Sequence, residues 1–129
     1  MGKGRPKFAR RGKFTTTYTP ETTANYENLV QLYFGQETRN SVLLIGAIKV
    51  DIVAYFPIPK STSKKKADLM RTGTIKPTKK PDFDNIGKII CDALNGIAYH
   101  DDSAIVDGRV QKFYSDTPRV EVALTEIAP

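Results

Sequence analysis

Apolar residues recur at every second position in the middle of the chain. Between residues 41 and 57 the apolar side chains that share one parity are Leu44, Ile48, Val50, Ile52, Ala54 and Phe56. A period of two places such side chains on one face of a strand. We therefore predict one long strand with a bend near Gly46. Upstream of it, the capping signal Thr19-Pro20-Glu21 predicts a helix that ends at Gly35.

The second half of the chain predicts two further helices and two further strands. A short helix is expected from residue 61 or 62 to Gly73, followed by a proline-punctuated loop. Helical spacing of apolar residues from Ile86 to Ile97 predicts the next helix, with Asn95-Gly96 as its end. Alternation predicts strands over about 104–114 and 119–125. This order predicts an α+β (α/β) fold, a single domain over 1–129 with a small mixed β-sheet and helices packed on one face.

Charge is spread unevenly along a chain of 129 residues with a formal net charge of +6. The first thirteen residues hold six Lys or Arg and no acid, and we expect residues 1–18 to form a basic N-terminal arm. No apolar run approaches the roughly 18 residues of a membrane span. The N-terminus lacks the apolar segment of a signal peptide, so a cytoplasmic location is expected. One cysteine and one histidine exclude a disulfide framework and a Cys-rich or His-rich metal centre.

A basic surface attracts phosphate backbones, although a high isoelectric point can also serve solubility alone. The basic residues concentrate in the arm and in residues 60–80. The residues that we expect to contact DNA are Arg5, Lys7, Arg10, Arg11, Lys64, Lys65, Lys66, Lys79 and Lys80.

Five aspartates fall within "KPDFDNIGKIICDALNGIAYHDDSAIV". Asp82 and Asp84 flank the predicted start of a helix, and Asp84, Lys88 and Asp92 share one stripe of that helix. Caps, ion pairs and turn chemistry would account for these residues one by one. Alternatively, clustered carboxylates hold a hard cation such as Mg²⁺, which serves phosphodiester hydrolysis. Such a site within a basic surface would make a nuclease.

The same stretch resembles the signature of the RusA-type Holliday junction resolvases, small endodeoxyribonucleases of bacteria and phages. In that family a D-x-D-N-x-x-K-x-x-x-D-x-L run precedes an Asp-Asp pair. The resemblance extends to "GRPKF", "YTPETTANYENLV" and "KFYSDTPRVEVAL", and so covers most of the chain. It implies that Asp82, Asp84 and Asp102 are catalytic metal ligands and that Lys88 is a catalytic lysine.

The resemblance also implies Mg²⁺ as cofactor, with Mn²⁺ as a substitute, and a homodimer. The implied reaction resolves four-way DNA junctions in recombination and repair by paired symmetric nicks. Two other functions stay open: a nuclease for other branched DNA or for RNA, and a nucleic-acid-binding module without catalysis. The chain departs from the family pattern at Phe83, where an aliphatic residue is usual, at Gly87 within the helix, and at Ala104, where Gln is common.

Three polar residues near the acidic cluster have open roles. Asp92 is expected to pair with Lys88 or to support a ligand from behind. Asp101 is either a supporting acceptor, a fourth ligand or a turn residue. His100 is either a turn residue or a general acid beside the metal. We expect Cys91 to be partly buried packing.

Overall fold

The computed structural model describes residues 43–127 and the backbone of residues 11–16. Its strands are β1 (Arg11–Thr16), β2 (Ile48–Pro57), β3 (Ile105–Ser115) and β4 (Arg119–Glu126). Two helices, α1 (Lys64–Arg71) and α2 (Phe83–Ala93), lie between β2 and β3, and a short 3₁₀ helix (Asp102–Ala104) leads into β3. None of the helices in these ranges is long and apolar enough to cross a membrane.

The four strands form one mixed sheet in the order β1-β4-β2-β3. β2 and β3 are parallel, and β4 runs antiparallel to both β1 and β2. A parallel pair needs a long crossover connection, and here that connection carries α1 and α2. The α+β fold with a small mixed sheet is confirmed.

One face of the sheet forms the core. The alternation predicted for β2 is confirmed, since its inward residues from Ile48 to Phe56 are at most 3% exposed. Val120, Val122 and Leu124 of β4 lie on the same face, opposite the apolar side of α2. Helix α2 therefore covers the sheet with Ile86, Ile90 and Ala93, which are its buried residues.

Helix α1 begins two or three residues later than predicted. The Ser63 side chain accepts a hydrogen bond from the Lys66 backbone N–H at 3.3 Å, so the helix starts at Lys64. It ends at Arg71 with Thr72 as its C-cap, two residues before the predicted end at Gly73, whose φ of 84° favours glycine. Arg71 in its last turn donates to Asp68 and to Asp116, at 2.8 Å in each case. The second of these bonds connects α1 to the turn between β3 and β4.

Helix α2 approaches the sheet closely at one residue. A Cβ atom at Gly87 would lie 3.4 Å from a methyl group of Val110 in β3. The glycine that departs from the family pattern therefore sits where the helix touches the strand. Gly96, with a φ of 77°, turns the chain after the helix as predicted.

Two expectations about strand boundaries need correction. Residues 11–16 form the edge strand β1, paired with β4, where we expected part of a basic arm. The central strand begins at Ile48 and not at residue 41, because the backbone before it is bonded elsewhere. The Leu44 N–H donates to the Ala98 carbonyl, and the Ile45 N–H donates to the Glu126 carboxylate. The helix predicted over 19–35 lies outside the described residues.

Candidate active site

The start of α2 carries two of the predicted ligands. Asp82 is the N-cap residue, yet its carboxylate accepts no capping hydrogen bond. Asp84, in the first turn, accepts a hydrogen bond from the neighbouring Asn85 N–H at 3.0 Å. The sequence favoured Asp84 as the N-cap residue, and the structure corrects this by placing Asp82 there. Both carboxylates are exposed at a helix N-terminus, where negative charge is favourable.

Lys88 pairs along the helix with Asp92. Its Nζ atom lies 3.1 Å from Asp92 Oδ2, and the lysine side chain is 72% exposed. The predicted pairing of Asp92 is confirmed. Because exposed pairs of this spacing contribute little stability, the lysine remains available to other negative groups.

Asp102 lies beside the C-terminal half of α2. It is half-buried at the first position of the 3₁₀ helix. Burial is the main cause that raises the pKa of the Tyr99 phenol, and the charges of Asp102 and Asp92 raise it further. The same two carboxylates add to the effect of burial in raising the pKa of the Cys91 thiol. Asp102 and Asp92 are therefore electrostatic neighbours of one partly buried cluster.

The residues next to Asp102 serve the turn. The Asp101 carboxylate accepts a hydrogen bond from the Ser103 N–H at 3.0 Å, which caps the 3₁₀ helix and lowers the pKa of Asp101. This contact accounts for Asp101 as a turn residue. His100 is exposed. Cys91 is half-buried against the core, as expected.

The donor set suits a hard cation in its chemistry. Within residues 43–127 no group of three or more His, Cys, Asp or Glu side chains is close enough to hold a metal ion. Asp82 and Asp84 nevertheless offer exposed carboxylate oxygens, which Mg²⁺ prefers. The structure therefore does not bring Asp102 together with Asp82 and Asp84 into one such group.

The basic residues predicted to contact DNA fall into two described groups. Lys64, Lys65 and Lys66 are exposed in the first turn of α1, where positive charge opposes the helix dipole. Lys79 and Lys80 are exposed in the loop that leads to Asp82. Arg5, Lys7 and Arg10 lie outside the described residues, and for Arg11 only the backbone position in β1 is described.

Sequence reasoning missed a contact behind this loop. Lys112 of β3 donates a hydrogen bond from Nζ to the Lys79 carbonyl at 2.6 Å. The same ammonium lies 5.1 Å from the centre of the buried Phe56 ring. The sequence signal for this contact is the position of Lys112 two residues after Val110 in β3, which places both side chains on the core face of the sheet.

The first residue of α2 is also unusual. The Phe83 side chain is 64% exposed between the two aspartates. Ala104, the other departure from the family pattern in this region, packs against the core.

Comparison with known proteins identifies the family of the chain. The family described as "Endodeoxyribonuclease RusA" matches residues 1–125. The chain is also 38% identical over 130 residues to the uncharacterized protein YqaN of Bacillus subtilis (strain 168), covering 99% of this chain and 91% of that protein. The match to the family spans the acidic segment, the first three strands and all of β4 except its last residue. The chain belongs to the endodeoxyribonuclease RusA family.

Proposed function

We propose that this protein is a Mg²⁺-dependent endodeoxyribonuclease that resolves four-way DNA junctions by paired, symmetric nicks. The observation that carries the proposal is the start of α2. There Asp82 holds the N-cap position without using its carboxylate to cap the helix, and Asp84 lies in the adjacent turn. The family match makes the chain an endodeoxyribonuclease, and the junction is the substrate that this family implies.

Asp82, Asp84 and Asp102 would hold the metal ion through their carboxylate oxygens. Bound there, Mg²⁺ would activate water and neutralise charge on the phosphoryl oxygens, and Mn²⁺ would substitute for it. Asp92 accepts a hydrogen bond from Lys88 and would support the site without binding the metal itself. Asp101 and His100 belong to the turn before Asp102, where the Asp101 carboxylate caps the 3₁₀ helix that begins at Asp102.

Lys88 would bring positive charge to the scissile phosphate. It lies one turn after Asp84 on the same stripe of α2, and its side chain is 72% exposed. A lysine ammonium in that position can leave Asp92 for a phosphate oxygen at little cost, since the exposed pair is weak.

DNA would lie across the lysines that precede the site. Lys79 and Lys80 immediately precede the acidic residues in the chain, and Lys64–Lys66 extend the positive surface along α1. Contacts of this kind bind phosphates and position the substrate without reading its sequence.

Two nicks in opposite strands require two active sites. A chain of 129 residues with one acidic segment supplies one site. A stacked four-way junction has two-fold symmetry, so a C2 homodimer matches it. We therefore propose that the functional unit is a homodimer.

A cleavage assay tests this function directly. Purified protein is incubated with a synthetic four-way junction labelled on each strand, with Mg²⁺, with Mn²⁺ or with a chelator. We expect paired nicks at symmetric positions that require the metal. Equal cleavage of flaps, forks or RNA would favour the broader nuclease, and tight binding without cleavage in either metal would favour the binding module.

A further inference from the structure

Lys112 in β3 lies on the core face of the sheet and not on the face exposed to solvent. Lys112 pairs in register with Ala54 of β2, which is fully buried on the core face. It is half-buried, and its ammonium sits 5.1 Å from the centre of the Phe56 ring, itself 1% exposed. An ammonium in such a place loses hydration, and it needs a partner to compensate for that loss.

The partner is the backbone of the loop that precedes the active site. Lys112 Nζ donates to the Lys79 carbonyl at 2.6 Å, three residues before Asp82. The Lys79 ammonium in turn lies 6.0 Å from the centre of the Tyr114 ring, on the next inward residue of β3. Pro77 of the same loop is buried. The end of β3 therefore holds this loop through a side chain and a ring, at Lys79.

This attachment matters for the orientation of Asp82. Its carboxylate makes no capping hydrogen bond in the part of the chain described here, so its position follows from the loop backbone and from the start of α2. Catalytic groups must be held to about 0.5 Å, and that precision comes from the residues that support them. A hydrogen bond from a charged donor is among the stronger supports available.

We propose that Lys112 is a positioning residue that fixes the loop of Lys79 and thereby sets the place of Asp82 for cleavage. This inference rests on the proposed function for its effect on cleavage. Its structural part, the restraint of the loop, can be measured without any activity.

Limited proteolysis by trypsin measures how strongly Lys112 restrains the loop, at the peptide bond between Lys79 and Lys80. Trypsin must bind the Lys79 carbonyl to cut between Lys79 and Lys80, and Lys112 occupies that oxygen. Lys112→Met keeps the aliphatic stem over Phe56 and removes the donor. We expect cutting at Lys79 to become about tenfold faster or more relative to cutting at Arg71, as the loss of a charged hydrogen bond predicts.

Lys76→Met is the matched control. Lys76 also lies beside an aromatic ring, 5.8 Å from the centre of Phe113, and also donates to a backbone carbonyl, that of Gly73. It belongs to the same loop, but within residues 43–127 its side chain is bonded to neither Lys79 nor α2. We expect wild-type cutting at Lys79 and wild-type junction cleavage.

Junction cleavage and binding separate positioning from DNA contact. For Lys112→Met we expect kcat to fall about tenfold or more, with junction affinity within about twofold and an unchanged salt dependence of binding. Lys112→Arg retains a charged donor and should recover part of both the loop protection and kcat. If Lys112→Met does not fold, Lys112→Gln is measured in the same two assays.

Three results would overturn the proposal. The first is unchanged cutting at Lys79. The second is a normal kcat in a variant whose loop is released. The third is weaker binding with a salt slope that falls by about 0.9 while kcat stays normal, which indicates a phosphate contact. If the wild-type protein cleaves no junction, the proposed function fails, and the trypsin result still decides whether Lys112 holds the loop.

Discussion

Asp82 is the N-cap residue of α2 and, in the proposed function, a ligand of the metal ion. An N-cap aspartate usually accepts a hydrogen bond from the first turn, and here it does not. A substitution can therefore remove its charge without removing a capping bond. Asparagine is as good a cap residue as aspartate, so it preserves the start of α2.

We expect Asp82→Asn to abolish metal-dependent junction cleavage while keeping the fold. Junction binding should be retained or tightened, since the variant has one negative charge fewer beside the DNA. The measurements are nicking of a labelled four-way junction and a gel-shift titration in Ca²⁺. Asp107→Asn, an exposed aspartate of β3 outside the site, is the control and should cleave normally. Near-normal nicking by Asp82→Asn would remove Asp82 from the metal site.

Lys88 offers a second test at the same scale. Lys88→Ala removes the ion pair with Asp92, which is exposed and costs at most about 0.5 kcal/mol of stability. We expect cleavage to fall by about 100-fold or more, and Lys88→Arg to recover little, because a guanidinium differs in shape from an ammonium. Asp92→Asn breaks the same pair and leaves the lysine in place. Equal losses in Lys88→Ala and Asp92→Asn would assign the effect to the ion pair and not to the ammonium.

At the scale of the elements, α2 is held at its C-terminal end by a buried phenol. The Tyr99 hydroxyl donates to the Cys91 carbonyl at 2.7 Å, in the last turn of α2, where carbonyls lack helical donors. Burial raises the pKa of Tyr99 well above its usual range. The folded protein therefore keeps the phenol protonated where an unfolded chain would lose the proton.

We expect Tyr99→Phe to cost about 1–3 kcal/mol in the free energy of unfolding at pH 7, because a buried acceptor is left unpaired. The stabilisation that the raised pKa provides is fully present below the ordinary tyrosine pKa of about 10 and declines as the pH rises above it. Tyr99→Phe should show a shallower alkaline decline than wild type. Urea unfolding between pH 8 and 11 measures both effects.

Tyr114→Phe controls for the loss of a phenol elsewhere, since Tyr114 is only half-buried. It should unfold with the alkaline dependence of the wild type. If Tyr99→Phe and the wild type lose stability in parallel above pH 9.5, the phenol is not the group that titrates.

Patterns with a short period predicted the elements well. The inward residues of β2 and the apolar side of α2 could be identified because periods of two and of 3.6 follow directly from backbone geometry. Boundaries were less certain, because they depend on long-range bonds such as the one from Ile45 to Glu126. β1 was missed since its pairing with β4 involves residues far apart in sequence.

The site was predictable only in its charged residues. A run of aspartates with helical spacing indicates a stripe, and the Lys88–Asp92 pair followed from it. The contact of Lys112 with the Lys79 carbonyl depends on how the crossover loop returns to β3, and no local pattern encodes it. The exposure of the Phe83 side chain likewise follows no local pattern, because it depends on how the start of α2 lies against the rest of the fold.

At the scale of the whole molecule, the proposed DNA surface consists of basic residues on α1 and in the loop before α2. Replacing Lys64, Lys65 and Lys66 with Ala keeps the Ser63 cap and introduces good helix formers. We expect weaker binding to all junction sequences alike. The slope of log affinity against log salt should flatten by about 0.9 for each phosphate that the variant no longer neutralises.

Lys49→Ala removes a lysine from β2 whose nearest acid is Asp51, at 3.8 Å, and should leave the slope unchanged. Filter binding between about 50 and 200 mM salt measures all three proteins. An unchanged slope in the triple variant would exclude α1 from the DNA surface. Light scattering on the same samples reports the oligomeric state, and an active monomer would contradict the homodimer.

The position of β4 has a consequence for how the protein folds as it is synthesised. β4 follows β1, β2 and β3 along the chain and lies inside the sheet, between β1 and β2. During synthesis β1 therefore cannot pair with β4 until residues 119–126 have been made, and the sheet is unfinished until then. The helix that carries Asp82 and Asp84 packs on that unfinished sheet. We expect chains that stop before residue 119 to leave DNA uncut.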